Sequence, residues 1–549
     1  MYFSSAFRLS NIKFYRPLSC KKKTISVLYS MMSFNRRFSN NSIHSKSSSN
    51  EPSNNNSNSV PETSNGLESF WHKPGLVSFN KRNSKLAIEN SEFMKKLISG
   101  AVSERKANGD MFPRKIIKKC CELYKNLDKG DRIKFITILA RDFGVLRENV
   151  INAAQHYVNL SDADAYGRAT LRAEQILRHA IIPSHDVFFD RVNELPEGTK
   201  FLIDMRADLL SFMRENVHEI VLSTINENLK EKLASWLLGS IVLKQITWSS
   251  PVKVLENIKE NEAVHAIKDW QDMKRRVGPG RILFAFFYGR LPYEPLVFIH
   301  VAFTKEVSDS VQAILEDPNP EASIKTPEDF KCAMFYSITS HPGLSGIELG
   351  NFLIKSVVRK LRAEFSSIET FSTLSPIPGF RRWLVTAINI EGDSILVNGE
   401  AQLIKELGTR TSPERYIELD KIDATRILYN IIKTNEWFKN EYSVQVLKPI
   451  LLRLCARYIL TEKRRNLAFD PVANFHIRNG ACVYRLNWLG DTSEQGLEKS
   501  FGIMINYNYV LEHLENNNKQ YLSDGTITIP YEDPVLIEEA KNSPNIKII

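Results

Sequence analysis

The segment from Phe335 to Phe380 constrains the fold of this chain more than any other part of the sequence. It contains an apolar run, a turn with three glycines, a long amphipathic run and a second apolar run, in the order FYSITSHPGLSGIELGNFLIKSVVRKLRAEFSSIETFSTLSPIPGF. These patterns predict a strand, a tight turn, a helix and a second strand. Ser375 follows the second apolar run, so we expect its hydroxyl at the end of a strand.

The turn from Gly343 to Gly346 has the features of a phosphate site. Glycines let the backbone approach a ligand closely, and the N–H groups at the start of the following helix favour a phosphate or pyrophosphate. The helix has one apolar side, formed by Ile347, Ile354, Val357, Val358, Leu361 and Phe365. Glycine spacing alone would suit a helix cap equally well.

The sequence around this unit predicts a mixed sheet that begins near Pro251. Ile282–Tyr288 and Leu296–Phe303 are short, aromatic and β-branched, so we expect an antiparallel strand pair there. Ala333–Thr339 predicts the next strand. Residues 405–463 have helical periodicity and predict an insertion in this half. Two further strands are expected near the end of the chain, at Cys482–Trp488 and Phe501–Tyr507.

The first half of the chain is predicted to be helical. No proline occurs between Pro113 and Pro183, and apolar residues recur at helical spacing as far as Leu243. We expect a helical bundle over residues 85–248 that serves in oligomerisation, followed by the mixed-sheet domain over residues 249–549. The predicted class is therefore α+β, with an all-α bundle before a mixed-sheet domain.

The charge distribution argues against a nucleic-acid partner. The net charge is +10, but residues 1–50 hold nine of the 73 Lys and Arg residues and no acidic residue, which leaves 64 basic against 63 acidic residues in the remainder. A basic, serine-rich leader predicts a mitochondrial transit peptide over residues 1–40, although a disordered basic tail has the same composition. Residues 41–84, rich in Ser and Asn, predict a disordered linker.

Two further features concern the cellular setting. No apolar run approaches about 18 residues, so no membrane span is expected. The six cysteines have neither CxxC nor zinc-finger spacing, which favours a reduced compartment and no metal site while leaving an intersubunit disulfide open.

Longer motifs extend these patterns to a known family. The order of strands, turn and helix resembles the acetyltransferase-like (GNAT) fold, in which coenzyme A lies on such a turn. The chain from about residue 85 to the end resembles the malonyl-CoA decarboxylase family, and the segments that carry the resemblance are EAVHAIKDWQDMKRRVGP (262–279), EPLVFIHVAFT (294–304), FYSIT (335–339), GLSGIELGNFLIK (343–355), TLSPIPGFRRWL (373–384) and DPVANFHIRNGA (470–481).

The resemblance implies a carboxy-lyase that converts malonyl-CoA to acetyl-CoA and CO₂ and thereby controls malonyl-CoA in fatty acid metabolism. It implies Ser375 and His476 as catalytic residues, with Glu348 able to orient either of them. Ser375 could also anchor the malonyl carboxylate or relay a proton. The implied substrate-binding residues are Ser375 and the segment Ser345, Gly346, Ile347, Glu348, Leu349, Gly350 and Asn351. At Ser345 the chain departs from the Gln associated with the family.

The family also implies a homo-oligomer, a tetramer, and no metal, biotin or pyridoxal cofactor, because the thioester carbonyl can take up the electrons released on decarboxylation. The chain ends Asn545-Ile546-Lys547-Ile548-Ile549 without the Ser-Lys-Leu peroxisomal signal of some relatives. Together with the basic leader, this favours the mitochondrial matrix over cytoplasmic or peroxisomal pools.

Three alternatives remain open from the sequence alone. A GNAT-type acyltransferase would pass an acyl group from coenzyme A to an amine, and a non-catalytic acyl-CoA-binding scaffold would bind without turnover. Taken singly, Ser375 could simply end a strand and His476 could cap a loop over residues 470–480.

Overall fold

The computed structural model describes residues 84–103, 111–160, 167–215, 220–316, 330–397, 399–411 and 422–549. The expected transit peptide (1–40) and all but the last residue of the expected linker (41–84) lie outside these ranges. Among the described residues, no helix combines the length and apolar character that a membrane crossing needs. The cysteines of these ranges are all buried and unpaired.

Helices fill the first part of the described chain, as predicted. Amphipathic periodicity and the proline-free stretch explain why, since each helix buries one apolar face against its neighbours. Side-chain caps define some ends; Asp128, for example, accepts a hydrogen bond from the N–H of Asp131. The helices are α1 (Ser84–Val102), α2 (Met111–Asn126), α3 (Lys129–Asp142), α4 (Arg147–Val158), α5 (Arg168–Ala180), α6 (Ser184–Asn193), α7 (Gly198–Glu215) and α8 (Ile220–Leu238).

The last helix of the first half is shorter in the structure than the sequence predicts. Helix α8 ends at Leu238, and the segment Ile241–Ile246 is strand β1, which pairs antiparallel with β2 (Arg281–Tyr288). The helical pattern to Leu243 is wrong beyond Leu238 because the sequence IVLKQI gains a partner strand that local periodicity cannot reveal. The sheet therefore begins before residue 249.

The main sheet continues with β3 (Leu291–Thr304), β4 (Cys332–Ser340), β5 (Thr370–Thr373), β6 (Ser375–Pro376), β9 (Cys482–Asn487) and β10 (Met504–Asn508). Its strand order is β1-β2-β3-β4-β5-β10-β6, and β9 pairs with β10. Strands β1 to β4 are antiparallel, which confirms the predicted strand pair and the strand after it. Two small sheets pair β7 (Lys463–Arg464) with β8 (Leu467–Ala468) and β11 (Ile527–Ile529) with β12 (Ile546–Ile548).

The sheet opens between β4 and the strand that follows it. Strands β4 and β5 run parallel from Cys332 to Phe335, and the N–H of Leu374 makes the last bond, 3.0 Å to the Phe335 carbonyl oxygen. Strand β4 then continues to Ser340, whereas β6 pairs with β10. The end of β4 and the Ser375 segment therefore form the two sides of a gap, an arrangement that suits the expected acetyltransferase-like fold.

Helices cover the sheet, and a largely helical stretch separates β6 from the segment that carries His476. The helical character predicted for residues 405–463 is confirmed for the described residues. By contrast, residues 471–478 form a helix and not the loop considered from the sequence, because Asp470 caps it and Pro471 suits its first turn. The helices are α9 (Val252–Asn261), α10 (Trp270–Arg276), α11 (Val311–Glu316), α12 (Leu349–Glu364), α13 (Phe380–Glu391), α14 (Glu400–Thr411), α15 (Ala424–Ile432), α16 (Glu441–Leu460), α17 (Pro471–Arg478), α18 (Glu494–Ser500), α19 (Leu514–Asp524) and α20 (Pro534–Ala540).

Candidate active site

A cavity of about 450 Å³ occupies the gap between β4 and β6. Its lining includes residues at the ends of both strands, in the turn before α12, and on the side of α17 that faces the cavity. Ser375 and His476, which lie 101 residues apart in the sequence, both line it. The fold therefore brings the two proposed catalytic residues to one site.

Ser375 lies on β6, where its backbone pairs with Ile505 of β10. Its Oγ is 3.1 Å from Nε2 of His476 and 2.9 Å from Oγ1 of Thr373. Ser375 is 5% exposed and His476 is 3% exposed, so the pair is nearly dry. In such surroundings a hydrogen bond is electrostatically stronger than in water.

His476 is held from its other side by two tyrosines of the β10 end. Its Nδ1 lies 2.8 Å from the Tyr509 hydroxyl, and its ring stacks on Tyr507 with centroids 4.6 Å apart and an interplanar angle of 21°. Burial lowers the pKa of His476 to about 3, because the charged imidazolium loses its hydration. The imidazole is therefore neutral near pH 7.

The hydrogen bonds give this line of side chains a direction. The Ser375 hydroxyl donates its hydrogen to Thr373 Oγ1, so Ser375 Oγ accepts a hydrogen bond from Nε2–H of His476. The other nitrogen of a neutral imidazole carries no hydrogen, so Nδ1 accepts from the Tyr509 hydroxyl, which burial keeps protonated by raising its pKa. We refer to Ser375, His476 and Tyr509 as the reaction wall of the cavity.

The opposite side is formed by residues 341–351, which we call the binding wall. A short 3₁₀ turn, Pro342–Leu344, precedes Gly346, whose φ of 78° favours glycine, and α12 starts at Leu349. The N–H of Leu349 donates to the Ile347 carbonyl oxygen at 2.7 Å, and helix starts in general leave their first N–H groups without an intrahelical acceptor. The predicted turn before a helix is therefore present, and its use as a phosphate site stays a prediction.

Helix α7 of the helical region supports the binding wall. The buried Arg206 donates from Nη1 to the Gly343 carbonyl oxygen at 2.6 Å and from Nε to Asn226. Gly343 is required for this approach, since a Cβ there would lie 1.9 Å from the carbonyl oxygen of Ile203. His341 Nε2 lies 3.2 Å from the Asp204 carboxylate. The helical region is thus part of the site's support.

Most of the expected substrate-binding residues line the cavity, but Leu349 does not. The cavity is lined by Ser345, Gly346, Ile347, Glu348, Gly350 and Asn351. Leu349 is fully buried and packs in the core. The side-chain oxygen of Asn351 is buried and has no hydrogen-bond partner among the described residues, and the same holds for the amide nitrogen of Asn479, which also lines the cavity.

Glu348 lies on the binding wall, and the structure does not place it between the other two catalytic candidates. Its carboxylate is 3.1 Å from the Arg478 guanidinium, and both side chains are substantially exposed. The group that orients His476 in this structure is the hydroxyl of Tyr509. Arg478 brings a positive charge to the cavity lining from the last turn of α17.

Sequence reasoning missed Tyr509, Thr373, Asp470 and Arg478. Tyr509 is buried like the aromatic residues of a core, but its hydroxyl contacts His476. Asp470-Pro471 is a helix-start signal that could have placed His476 on a helix. Nothing in the local sequence pairs Tyr509 with His476.

Comparisons with known proteins identify the family of the chain. A family model described as the malonyl-CoA decarboxylase C-terminal domain matches residues 239–543, and one described as the malonyl-CoA decarboxylase N-terminal domain matches residues 143–237. The chain belongs to the malonyl-CoA decarboxylase family. The resemblance expected from the sequence is therefore confirmed, and the family is one of carboxy-lyases.

Relatives within the family span most of the chain. The mitochondrial malonyl-CoA decarboxylase of Anser anser anser is 37% identical over 432 residues, covering 77% of this chain and 83% of the relative. The mitochondrial protein of Rattus norvegicus is 37% identical over 427 residues, covering 77% and 84%. The crystal structure of malonyl-CoA decarboxylase from Rhodopseudomonas palustris has a TM-score of 0.67 at 30% identity and covers 81% of this chain and 99% of that one.

Proposed function

We propose that this protein decarboxylates malonyl-CoA to acetyl-CoA and CO₂ and so controls the malonyl-CoA available to fatty acid metabolism. The observation that carries the proposal is the line of hydrogen bonds from Tyr509 through His476 to Ser375, in a cavity of a chain that belongs to this family. Decarboxylation of a thioester requires a hydrogen-bond donor and a proton, and these three side chains can supply both.

The reaction begins when the bond between the carboxylate carbon and the α-carbon breaks. CO₂ leaves, and the electron pair moves onto the thioester, which becomes an enolate with negative charge on its oxygen. A preorganised donor in a dry site stabilises such a charge strongly, because no solvent has to reorganise. His476 and Ser375 are both nearly dry.

The second step transfers a proton to the α-carbon. An enolate carbon is basic enough to accept a proton from a neutral donor, so His476 does not need to be an imidazolium. The proton passes from Nε2–H of His476 directly or through the Ser375 hydroxyl, and the Tyr509 hydroxyl gives its proton to Nδ1, so that the imidazole stays neutral and the negative charge moves to the Tyr509 oxygen. Solvent restores the proton afterwards. This makes His476 the donor and leaves Ser375 as relay or as anchor of the malonyl carboxylate.

The binding wall suits the remainder of coenzyme A. Backbone N–H groups near Gly346 and Gly350 would hold phosphate, and the unpartnered oxygen of Asn351 would accept an amide N–H of the pantetheine arm. Arg478 offers a charge for a second phosphate. A phosphate on Arg478 would release Glu348 from its ion pair, so Glu348 stays in the proposed catalytic set as a group that becomes free on binding.

Assembly and location complete the proposal. Helices α4 and α5 and the residues beside them expose large apolar side chains, which supports burial against further copies of the chain in a homo-oligomer, a tetramer by family resemblance. The exposed set includes Leu146, Ile151, Val158, Leu171, Ile176 and Ile182. The named relatives are mitochondrial, which supports the mitochondrial matrix as the location.

The test uses Ser375→Ala and His476→Asn in the purified protein. Mass spectrometry would follow malonyl-CoA, acetyl-CoA and free coenzyme A, with and without an added amine. We expect acetyl-CoA without any acceptor, and a fall in kcat of about 100-fold or more in both variants, the usual contribution of a positioned proton donor.

Matched controls are Ser372→Ala, a buried serine of β5, and His185→Asn, a buried histidine of the helical region whose pKa burial lowers to about 4. Near-normal acetyl-CoA production by both site variants would contradict the assignment. Free coenzyme A formed only with the amine would indicate an acyltransferase, and binding without turnover would indicate a scaffold.

A further inference from the structure

Asp470 lies where the two chain segments of the reaction wall meet. It is 1% exposed and immediately precedes α17, the helix that carries His476. Its Oδ1 accepts the backbone N–H groups of Val472 and Ala473, both at 2.9 Å. These two bonds fix the start of α17, and they account for only one of the two carboxylate oxygens.

The second oxygen faces the segment that carries Ser375. Asp470 Oδ2 accepts the Tyr458 hydroxyl of α16 at 3.1 Å, and both groups lie against the backbone of Gly379. Gly379 is four residues after Ser375. A Cβ at Gly379 would lie 2.3 Å from the Tyr458 hydroxyl and 3.7 Å from Oδ2. Glycine at this position therefore permits the close contact.

A single buried carboxylate thus connects the α17 N-terminus, α16 and the turn after Ser375. We propose that Asp470 is a positioning residue that holds the Ser375 and His476 segments in register, so that Nε2 and Oγ stay within hydrogen-bond distance. Asp470 is not among the described residues that line the cavity. The inference rests on the proposed decarboxylation, because the register of the two segments matters for activity only if Ser375 and His476 act in that reaction.

The opposing explanation is that Asp470 is only a helix cap, and the chain contains a matched example of one. Asp533 also precedes a proline, is 6% exposed, and accepts the N–H groups of Val535 and Leu536 at the start of α20. Its second oxygen accepts the N–H of Leu486 in β9. Asp533 has the same local geometry but contacts neither segment of the reaction wall.

The experiment compares Asp470→Asn with Asp533→Asn in the full-length protein. In each variant the asparagine Oδ1 can still cap its helix, while its Nδ2 cannot accept the other hydrogen bonds. We expect kcat for malonyl-CoA to fall about 30-fold in Asp470→Asn with KM within about twofold, because small displacements of reacting groups are costly. For Asp533→Asn we expect kcat within about twofold at a comparable fall in Tm.

A structural readout separates this inference from the proposed function. The imidazole signals of ¹⁵N-histidine-labelled protein are recorded, and that of His476 is assigned by its loss in His476→Asn. We expect it to shift in Asp470→Asn and to stay in place in Asp533→Asn. If the wild-type protein does not consume malonyl-CoA, the proposed function fails, whereas the imidazole signal still tests the positioning role.

Equal effects of the two asparagine variants on kcat and on the His476 signal would overturn the inference. Should Asp470→Asn fail to fold, Tyr458→Phe removes one donor and leaves the carboxylate and the cap in place. We expect that variant to lower kcat about threefold with KM unchanged, in line with the loss of one modest hydrogen bond. Unchanged kcat and an unmoved imidazole signal in Tyr458→Phe would also contradict the proposal.

Discussion

The binding wall and the reaction wall face the same cavity, but different contacts hold them in place. The binding wall depends on charged side chains of α7, among them Arg206 at the Gly343 carbonyl and the half-exposed Asp204 beside His341. The reaction wall depends on buried, uncharged hydrogen bonds among Ser375, His476 and Tyr509. The binding wall includes the exposed residues Ser345, Gly346 and Glu348, whereas the reaction wall is buried.

This difference has a physical basis. Phosphate groups are recognised by backbone donors and cations, which tolerate hydration. An enolate forms more easily where water has been excluded and donors are already oriented. We therefore expect changes at the reaction wall to act on kcat and changes at the binding wall to act on KM.

The first test, with the largest expected effect, is Tyr509→Phe in the reaction wall. The substitution keeps the ring but removes the donor to Nδ1 of His476, which leaves a buried nitrogen unpaired. We expect kcat to fall about 30-fold with KM nearly unchanged, an effect of about 2 kcal/mol. Steady-state kinetics with malonyl-CoA measure both constants.

The neighbouring Tyr507→Phe is the matched comparison. Tyr507 keeps its stack on His476 in that variant, and it loses a hydroxyl that has no hydrogen-bond partner among the described residues. We expect a smaller loss of kcat than in Tyr509→Phe. A larger loss in Tyr507→Phe would show that stacking, and not the hydrogen bond to Nδ1, orients the imidazole.

The second test is the pH dependence of stability. Burial lowers the pKa of His476 to about 3 in the folded protein, against about 6.5 in an unfolded chain. The unfolded state therefore takes up a proton first as pH falls, and the folded state loses stability between about pH 6.5 and pH 3. Above pH 6.5 the contribution is complete.

Urea unfolding of the wild type and of His476→Asn, at pH 8 and at pH 5, isolates this contribution. We expect the difference in unfolding free energy between the two proteins to change by about 2 kcal/mol, with the wild type losing more at pH 5. No change in that difference would mean that His476 is hydrated and that the reaction wall is not dry.

The third test concerns the binding wall and its support from α7. Arg206→Met removes the donor to the Gly343 carbonyl while keeping much of the buried volume. We expect KM for malonyl-CoA to rise about tenfold, equivalent to 1.4 kcal/mol, with kcat within about twofold. Arg214→Met is the control, because Arg214 is an exposed arginine of the same helix whose Nε donates to the Leu210 carbonyl oxygen one turn before it. A fall in kcat with constant KM would remove the distinction between the walls.

Much of this molecule could be predicted from local patterns. The strand, turn and helix around Gly346 follow from apolar periodicity and glycine placement, and the antiparallel pair β2 and β3 follows from two β-branched and aromatic runs. The patterns failed where partners are distant. Strand β1 was interpreted as the end of a helix, since only pairing with β2 decides its conformation.

The candidate site could likewise be predicted only in part. Local patterns place Ser375 and the segment from Ser345 to Asn351 next to recognisable elements, and motif resemblance indicated His476. The partners of these residues were not predictable, because Tyr509 and Arg206 come from elements far away in the chain. Their contacts depend on how those elements pack.

The sequence by itself determined the class of fold and most of its elements, because backbone sterics and side-chain periodicity act within a few residues, and its longer motifs indicated the family. Only the tertiary structure decided that Ser375 and His476 meet at 3.1 Å, that the imidazole is neutral, and that a helix of the first half supports the binding wall. The physical reason is that burial and hydrogen bonding are properties of the packed whole. A pKa or a donor's partner is set by every element around it, and no local pattern contains that information.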